Sequence, residues 1–191
     1  MISGAVRDEL IARYGEPHRR YHTMTHIQDC LAQVAASTDM TDDQRALMDA
    51  AIWFHDAIYD PTRNDNEAES AKMAADRLAA EGAPQAFIDE VARLILLTAG
   101  HSVQADDVLG ARLVSIDLSI LGAAPDRYDA YAAAIRDEYA HVPDPLYRAG
   151  RALIMGRFLE SPHLFADPVW ANRFEAQARN NLGREIAALT A

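Results

Sequence analysis

Cysteine is almost missing from this sequence. Cys30 is the only one in 191 residues, so an internal disulfide is ruled out and a reducing compartment is expected. Positive charge is scarce as well. Eighteen Lys and Arg against 29 Asp and Glu leave a formal charge of −11, and no basic run offsets it, which argues against a nucleic-acid polymer as the main partner. The one local basic cluster, Arg19-Arg20 with His18 and His22, is too small for a groove or a membrane patch and is the size to meet one phosphate group. No apolar run approaches the roughly 18 residues of a membrane span, and no N-terminal apolar segment suggests export. The expectation is a soluble, cytoplasmic chain that contacts no membrane. Alternating strand patterns, internal repeats and low-complexity linkers are lacking too.

What is present is ordinary for a globular protein: 50% apolar and 25% charged residues. The length suits one domain with a real core, and the whole chain, 1–191, is read as that domain. The apolar spacing predicts about eight or nine helices. The first runs from the cap Ser3 to Tyr14, closed by Gly15 and Pro17, and the second covers Thr23 to Ala36. Thr41-Asp42-Asp43-Gln44 is a capping box opening a third helix, which runs into His55-Asp56. A polar loop from Asp60 to Asn66 leads to a fourth helix over Glu67–Glu81, stopped by Gly82. Pro84 opens a fifth, with His101 at its end. A sixth starts at Asp106 or Asp107 and carries Leu109, Leu113, Ile116 and Ile120 before Gly122. The remaining three cover Pro125–His141, Leu146–Leu159 and Pro168–Leu189. The fold class is all-α.

The stretch Trp53-Phe54-His55-Asp56-Ala57-Ile58-Tyr59-Asp60 organises the functional reading. Its ionisable pair sits inside an apolar run in which Leu47, Ala50, Ala51, Phe54 and Ile58 share a helical face. Burying a carboxylate and an imidazole costs several kcal/mol unless something pairs with them, and a divalent metal is such a partner. Adjacent residues on a helix diverge by about 100°, so both reach one ion only beyond the helix end or over its edge. Asp117 lies four residues after Leu113 and three before Ile120, along the apolar stripe, and the plainer reading is a partly exposed Asp on a helix edge or one paired with an arginine such as Arg112. His22 and His26 are an i,i+4 pair beside Ile27, able to bind a metal or merely to cap. His101 continues the face of Leu94 and Thr98, or caps its helix. His26, His55, Asp56 and Asp117 thus come from three helices, with the ligand types that mixed N/O metal sites use.

The order of a His, then His-Asp, then a distant Asp, all on helices, resembles the HD-domain superfamily of metal-dependent phosphohydrolases, and within it a small branch of HD hydrolases. The matching pieces are Arg20-Tyr21-His22-x-x-x-His26-Ile27, Trp53-Phe54-His55-Asp56-x-x-Tyr59-Asp60 and Asn66-Glu67-x-x-Ser70-Ala71. Thr98-x-x-His101, Asp117-Leu118-x-Ile120-Leu121-Gly122 and Gly150-Arg151 with Phe158-Leu159 follow, so the similarity spans about residues 15 to 185. The resemblance implies an HD-domain-like helical bundle whose metal ligands are His26, His55, Asp56 and Asp117. His26 is preferred to His22 because the core stripe of its helix follows it.

What the resemblance implies chemically is hydrolysis of a small phosphorylated substrate, such as a nucleotide, by a metal-activated water. The divalent ion could be Mn, Fe, Co, Ni, Zn or Mg. Arg20, His22 and His101 are the expected partners of the phosphoryl oxygens, with Lys72 a weaker one. Glu67 orients the water or takes its proton, although a first-turn acid favoured by the helix dipole is an equally good reading. Asp60 before Pro61 reads as a turn residue. Two rival readings stand beside this one. A non-catalytic module of the same fold would keep the ligands without turnover. A carboxylate-bridged di-iron bundle would use Glu138-x-x-His141 and Glu160-x-x-His163, but Pro143 and Pro162 put both motifs at helix ends.

Overall fold

The computed structural model describes residues 2–191. Among them the secondary structure is entirely helical, as expected: nine α-helices, one 3-10 turn and no strand. The chain divides into two compact units, Met1–Leu113 and Val114–Ala191. The division falls inside α6 (Val108–Asp117).

The first unit holds α1 (Gly4–Tyr14), α2 (Met24–Ala36), α3 (Asp42–Phe54), α4 (Asn66–Ala80) and α5 (Gln85–Leu97). Local sequence explains their starts. The Ser3 side chain accepts from the Val6 amide at 3.3 Å, and Thr41 and Gln44 form the reciprocal capping box on α3. Past the end of α4, Gly82 takes a positive φ of 75°, a conformation that a side chain would strain. Helix α3 is central, packing on α2, α4 and α5, while α4 also packs on α5. The core is Ile27, Val34, Met48, Ile52, Phe54, Val91, Leu94 and Ile95, all essentially sealed from solvent. Each such side chain contributes about 1.5–3 kcal/mol of apolar burial.

The second unit holds the 3-10 turn Leu118–Gly122, α7 (Pro125–Glu138), α8 (Asp144–Glu160) and α9 (Pro168–Thr190). Helix α9 packs on α8 and on the 3-10 turn, which also meets α7. The sequence pattern carries one helix from Asp106 to Gly122; instead the α-helix ends at Asp117 and the chain tightens. Two long-range neighbours within this unit, Phe174 and Asn181, explain the change. A Cβ on Gly122 would lie 2.5 Å from the Phe174 Cβ, so the backbone runs hard against α9. The buried Asn181 amide donates to the Leu121 and Ala123 carbonyls, both at 2.9 Å. Leu118 and Leu121, three apart, are both buried in the 3.0-residue repeat. Helix α7 also stops earlier than read, at Glu138 instead of His141.

Candidate metal centre

Two turns of the first unit meet here: residues 15–23, between α1 and α2, and residues 55–65, between α3 and α4. Arg19 joins them. Its guanidinium donates to the His22 carbonyl at 3.1 Å, the Asp56 carbonyl at 2.7 Å, the Ala57 carbonyl at 3.1 Å and a Glu16 carboxylate oxygen at 3.0 Å. It lies over the rings of Tyr14 and Tyr59, 5.2 and 5.4 Å from their centroids. The side chain has no exposed surface. The expectation that Arg19 helps meet a phosphate is therefore corrected: its donors are engaged by backbone and by Glu16.

Neighbouring groups fix the same backbone. The Tyr14 hydroxyl donates to the Trp53 carbonyl at 2.9 Å, closing the end of α3. Ser70, fully buried on α4, accepts from the Ile58 amide at 3.0 Å and donates to the Ile58 carbonyl at 3.3 Å. Asn66 makes a two-way pair with the backbone of Asp60. Asp60 itself accepts from the Thr62 amide and hydroxyl, the turn role expected of it.

This frame brings together three of the expected ligands. His26 stands in the first turn of α2, His55 is the residue after α3, and Asp56 follows it beyond the helix end. Both histidines are buried and Asp56 is nearly so. The His55 Nε2 lies 2.9 Å from the Asp56 Oδ2 and 3.2 Å from the His26 Nε2, and the third side, His26 Nε2 to Asp56 Oδ2, is 3.6 Å. Ligand atoms about 2.1 Å from one ion lie about 3.0–3.4 Å apart in octahedral or tetrahedral arrangement. The three sides, 2.9, 3.2 and 3.6 Å, lie within about 0.2 Å of that range.

Its electrostatics follow from tautomers. The His55 Nδ1 lies 2.9 Å from the Ile52 carbonyl, which can only accept, so Nδ1 carries a proton. In the neutral ring, Nε2 is then a bare lone pair facing a carboxylate oxygen, and like partial charges at that distance repel. The contact needs one more positive charge, either a second proton on His55 or a cation. A proton joins two of the three atoms; a cation uses all three lone pairs. A metal-bound histidine holding its other nitrogen to a backbone carbonyl is the usual outer arrangement of such sites. The donor set therefore fits a divalent ion. Burial on its own would raise the Asp56 carboxyl, but His55, His22 and His26 hold it well below the usual carboxylate range. The His26 Nδ1 lies 3.1 Å from the Tyr21 hydroxyl and 3.8 Å from the Cys30 sulfur.

The other expected residues fall as follows. His22 is half-buried beside the triangle, its ring stacked on Tyr59 with centroids 4.1 Å apart and set edge-on to Tyr21 and His26. Arg20 is exposed, donating to the Pro17 and Arg19 carbonyls at 2.7 and 3.0 Å. Glu67 is half-buried in the first turn of α4, and Lys72 is exposed on the same helix. His101 follows α5 in the left-handed region, with φ 50° and its amide on the Leu97 carbonyl. Asp117, half-buried, is the last residue of α6 and belongs to the second unit. Arg112, weighed as its partner, makes a bidentate pair with Asp39 at 2.8 and 2.9 Å. Of the di-iron motifs, Glu138 is buried at the end of α7, while His141, Glu160 and His163 are exposed at helix ends or beyond.

Sequence reasoning gave Tyr14 no part in the site, took Asn66 and Ser70 only as pieces of a matching motif and misread Arg19; all four are supports. Three carry no local signal, because their partners are backbone atoms 12 to 39 positions away. No family model, curated protein or solved structure matches the chain.

Proposed function

We propose that this protein is a metal-dependent phosphohydrolase acting on a small phosphorylated molecule, a nucleotide being one candidate, with an HD-domain-like site. His26, His55 and Asp56 would hold a divalent ion, and Asp117 is the fourth ligand that the sequence pattern contributes. The observation that carries the reading is the triangle of two imidazole nitrogens and one carboxylate oxygen, with sides of 2.9, 3.2 and 3.6 Å. When bound, the ion would supply Lewis acidity, activating a water and polarising a phosphoryl oxygen. The remaining work falls to the chain's own groups. The Ile52 carbonyl keeps the His55 Nδ1 protonated, so that Nε2 stays a ligand. His22, held flat on Tyr59, would donate to a phosphoryl oxygen, as would Arg20 and His101. Glu67 would accept the proton lost by the attacking water.

A non-catalytic metal-holding module is favoured by one observation: the most buried cation near the site, Arg19, is committed to backbone carbonyls. Turnover of a phosphoester panel with each divalent metal separates the two readings. The hydrolase reading expects metal-dependent turnover that falls by at least about a hundredfold, or about 2.7 kcal/mol, in His55→Ala and Asp117→Ala. Metal binding without turnover of any phosphoester would favour the module. Full activity in Asp117→Ala would remove that ligand from the assignment.

A further inference from the structure

A cavity in the first unit, of about 180 Å³, lies on another face of α3 and plays no part in the reading above. Asp49 and Trp53 are one helical turn apart on that face, with side chains about 5–6 Å apart at their Cβ atoms. Trp53 and His55 differ by two positions, or about 200° around the helix, so this face points away from the histidine. The apolar wall is made by Ile2, Leu78, Phe87 and the Trp53 ring. Two opposite charges line it without meeting. The Arg7 guanidinium lies over the Trp53 ring, 5.8 Å from its centroid. Asp49 is half-buried and Arg7 exposed, and neither side chain has a hydrogen-bond or ion-pair partner among the described residues. The other two charged groups lining the cavity are placed differently. Arg45 donates to the Val34 and Ser37 carbonyls at 2.6 and 2.8 Å, and Asp42 is exposed in the first turn of α3.

An unpaired carboxylate beside apolar surface is costly, because burial penalises its charge and no donor offsets the loss of water. Burial does raise the Asp49 carboxyl above its ordinary value, with Arg45 and Arg7 only partly opposing it. A guanidinium resting on an indole face is likewise ready to take a planar anion as its second partner. A ligand bridging the two needs an ammonium group, a carboxylate a few bonds away, and an apolar remainder.

From these positions we infer that the cavity binds a small zwitterion, an α-amino acid with an apolar side chain. Asp49 takes the ammonium, Arg7 the carboxylate, and Phe87 and Leu78 the side chain. The site is independent of the metal centre.

Calorimetric titration of the wild-type protein with L-leucine and L-phenylalanine, against the amine and the acid that each lack one charged group, tests this. Saturable binding is expected for at least one amino acid, weakened at least about tenfold when either charged group is missing. Asp49→Asn and Arg7→Gln should each weaken it by a similar factor while leaving the metal content of the protein unchanged. No saturable binding up to about 10 mM would overturn the inference, a Kd weaker than that being worth less than about 3 kcal/mol. Equal affinity for the amine or the acid would overturn it too, as would unchanged affinity in both variants.

Discussion

Replacing Arg19 with Met keeps a long apolar stem between Tyr14 and Tyr59 and removes every donor that joins the two turns of the candidate site. Three backbone carbonyls, those of His22, Asp56 and Ala57, lose a charged partner, and Glu16 loses its pair. At about 1–1.5 kcal/mol net for each of three bonds, the loss is about 3–4.5 kcal/mol. The buried position of the guanidinium places it in the same range as breaking a buried ion pair from one side, about 3–5 kcal/mol. Urea unfolding read from Trp53 fluorescence, in a background where the other tryptophan, Trp170, is Phe, reports on the unit that holds Arg19. For a chain of this size the loss corresponds to a fall in Tm of roughly 6–18 °C. Arg19→Lys keeps the charge but cannot reach three carbonyls at once, so an intermediate loss is expected. A loss below about 1 kcal/mol in Arg19→Met would refute the reasoning, since relief from burying the guanidinium would then outweigh its bonds.

Further outcomes follow from the same geometry. Gly122→Ala forces a methyl group to 2.5 Å from the Phe174 Cβ and 2.8 Å from its carbonyl oxygen, so α9 must shift. The expected loss is about 1–3 kcal/mol, measured by chemical denaturation, and a neutral variant would contradict the tight approach. Asp107 is penalised by burial, yet bonds from Arg93 and the Gly110 amide hold its carboxyl below the ordinary value. Its contribution is therefore complete above its unfolded value of about 3.9 and lost as pH falls through the lower folded value. Asp107→Asn should flatten the acid limb of the stability profile below about pH 4. An unchanged limb would mean that the pair carries no pH-dependent stability.

Helix starts, and the stop after α4, were the most legible part of the chain, because their causes are local. Ser3, the Thr41–Gln44 box and Gly82 act within a few residues of themselves. The end of α6 was not legible, because its causes, Phe174 and Asn181, lie more than 50 positions away. Nothing in composition marks the division between Leu113 and Val114, which falls within a helix and not in a polar linker. At the candidate site, His26, His55 and Asp56 were readable because polar groups beside apolar stripes demand partners. The route by which His55 and Asp56 face one point, past the end of α3, was among the alternatives the helix geometry allows. Arg19 was misread for a sound reason: arginine is seldom buried, and next to Arg20 it looks like surface charge. Only the carbonyls of a turn 37 and 38 residues away reveal it as a brace.

The central claim is that these side chains hold a metal ion, and metal content tests it most directly. Elemental analysis of the purified protein, after incubation with divalent metals and removal of excess, should find about one ion per chain in the wild type. His26→Ala, His55→Ala and Asp117→Ala should each lose most of it while keeping their helical circular dichroism. A wild-type protein that retains no metal, or a His26→Ala/His55→Ala double variant that still holds a full equivalent, would contradict the account.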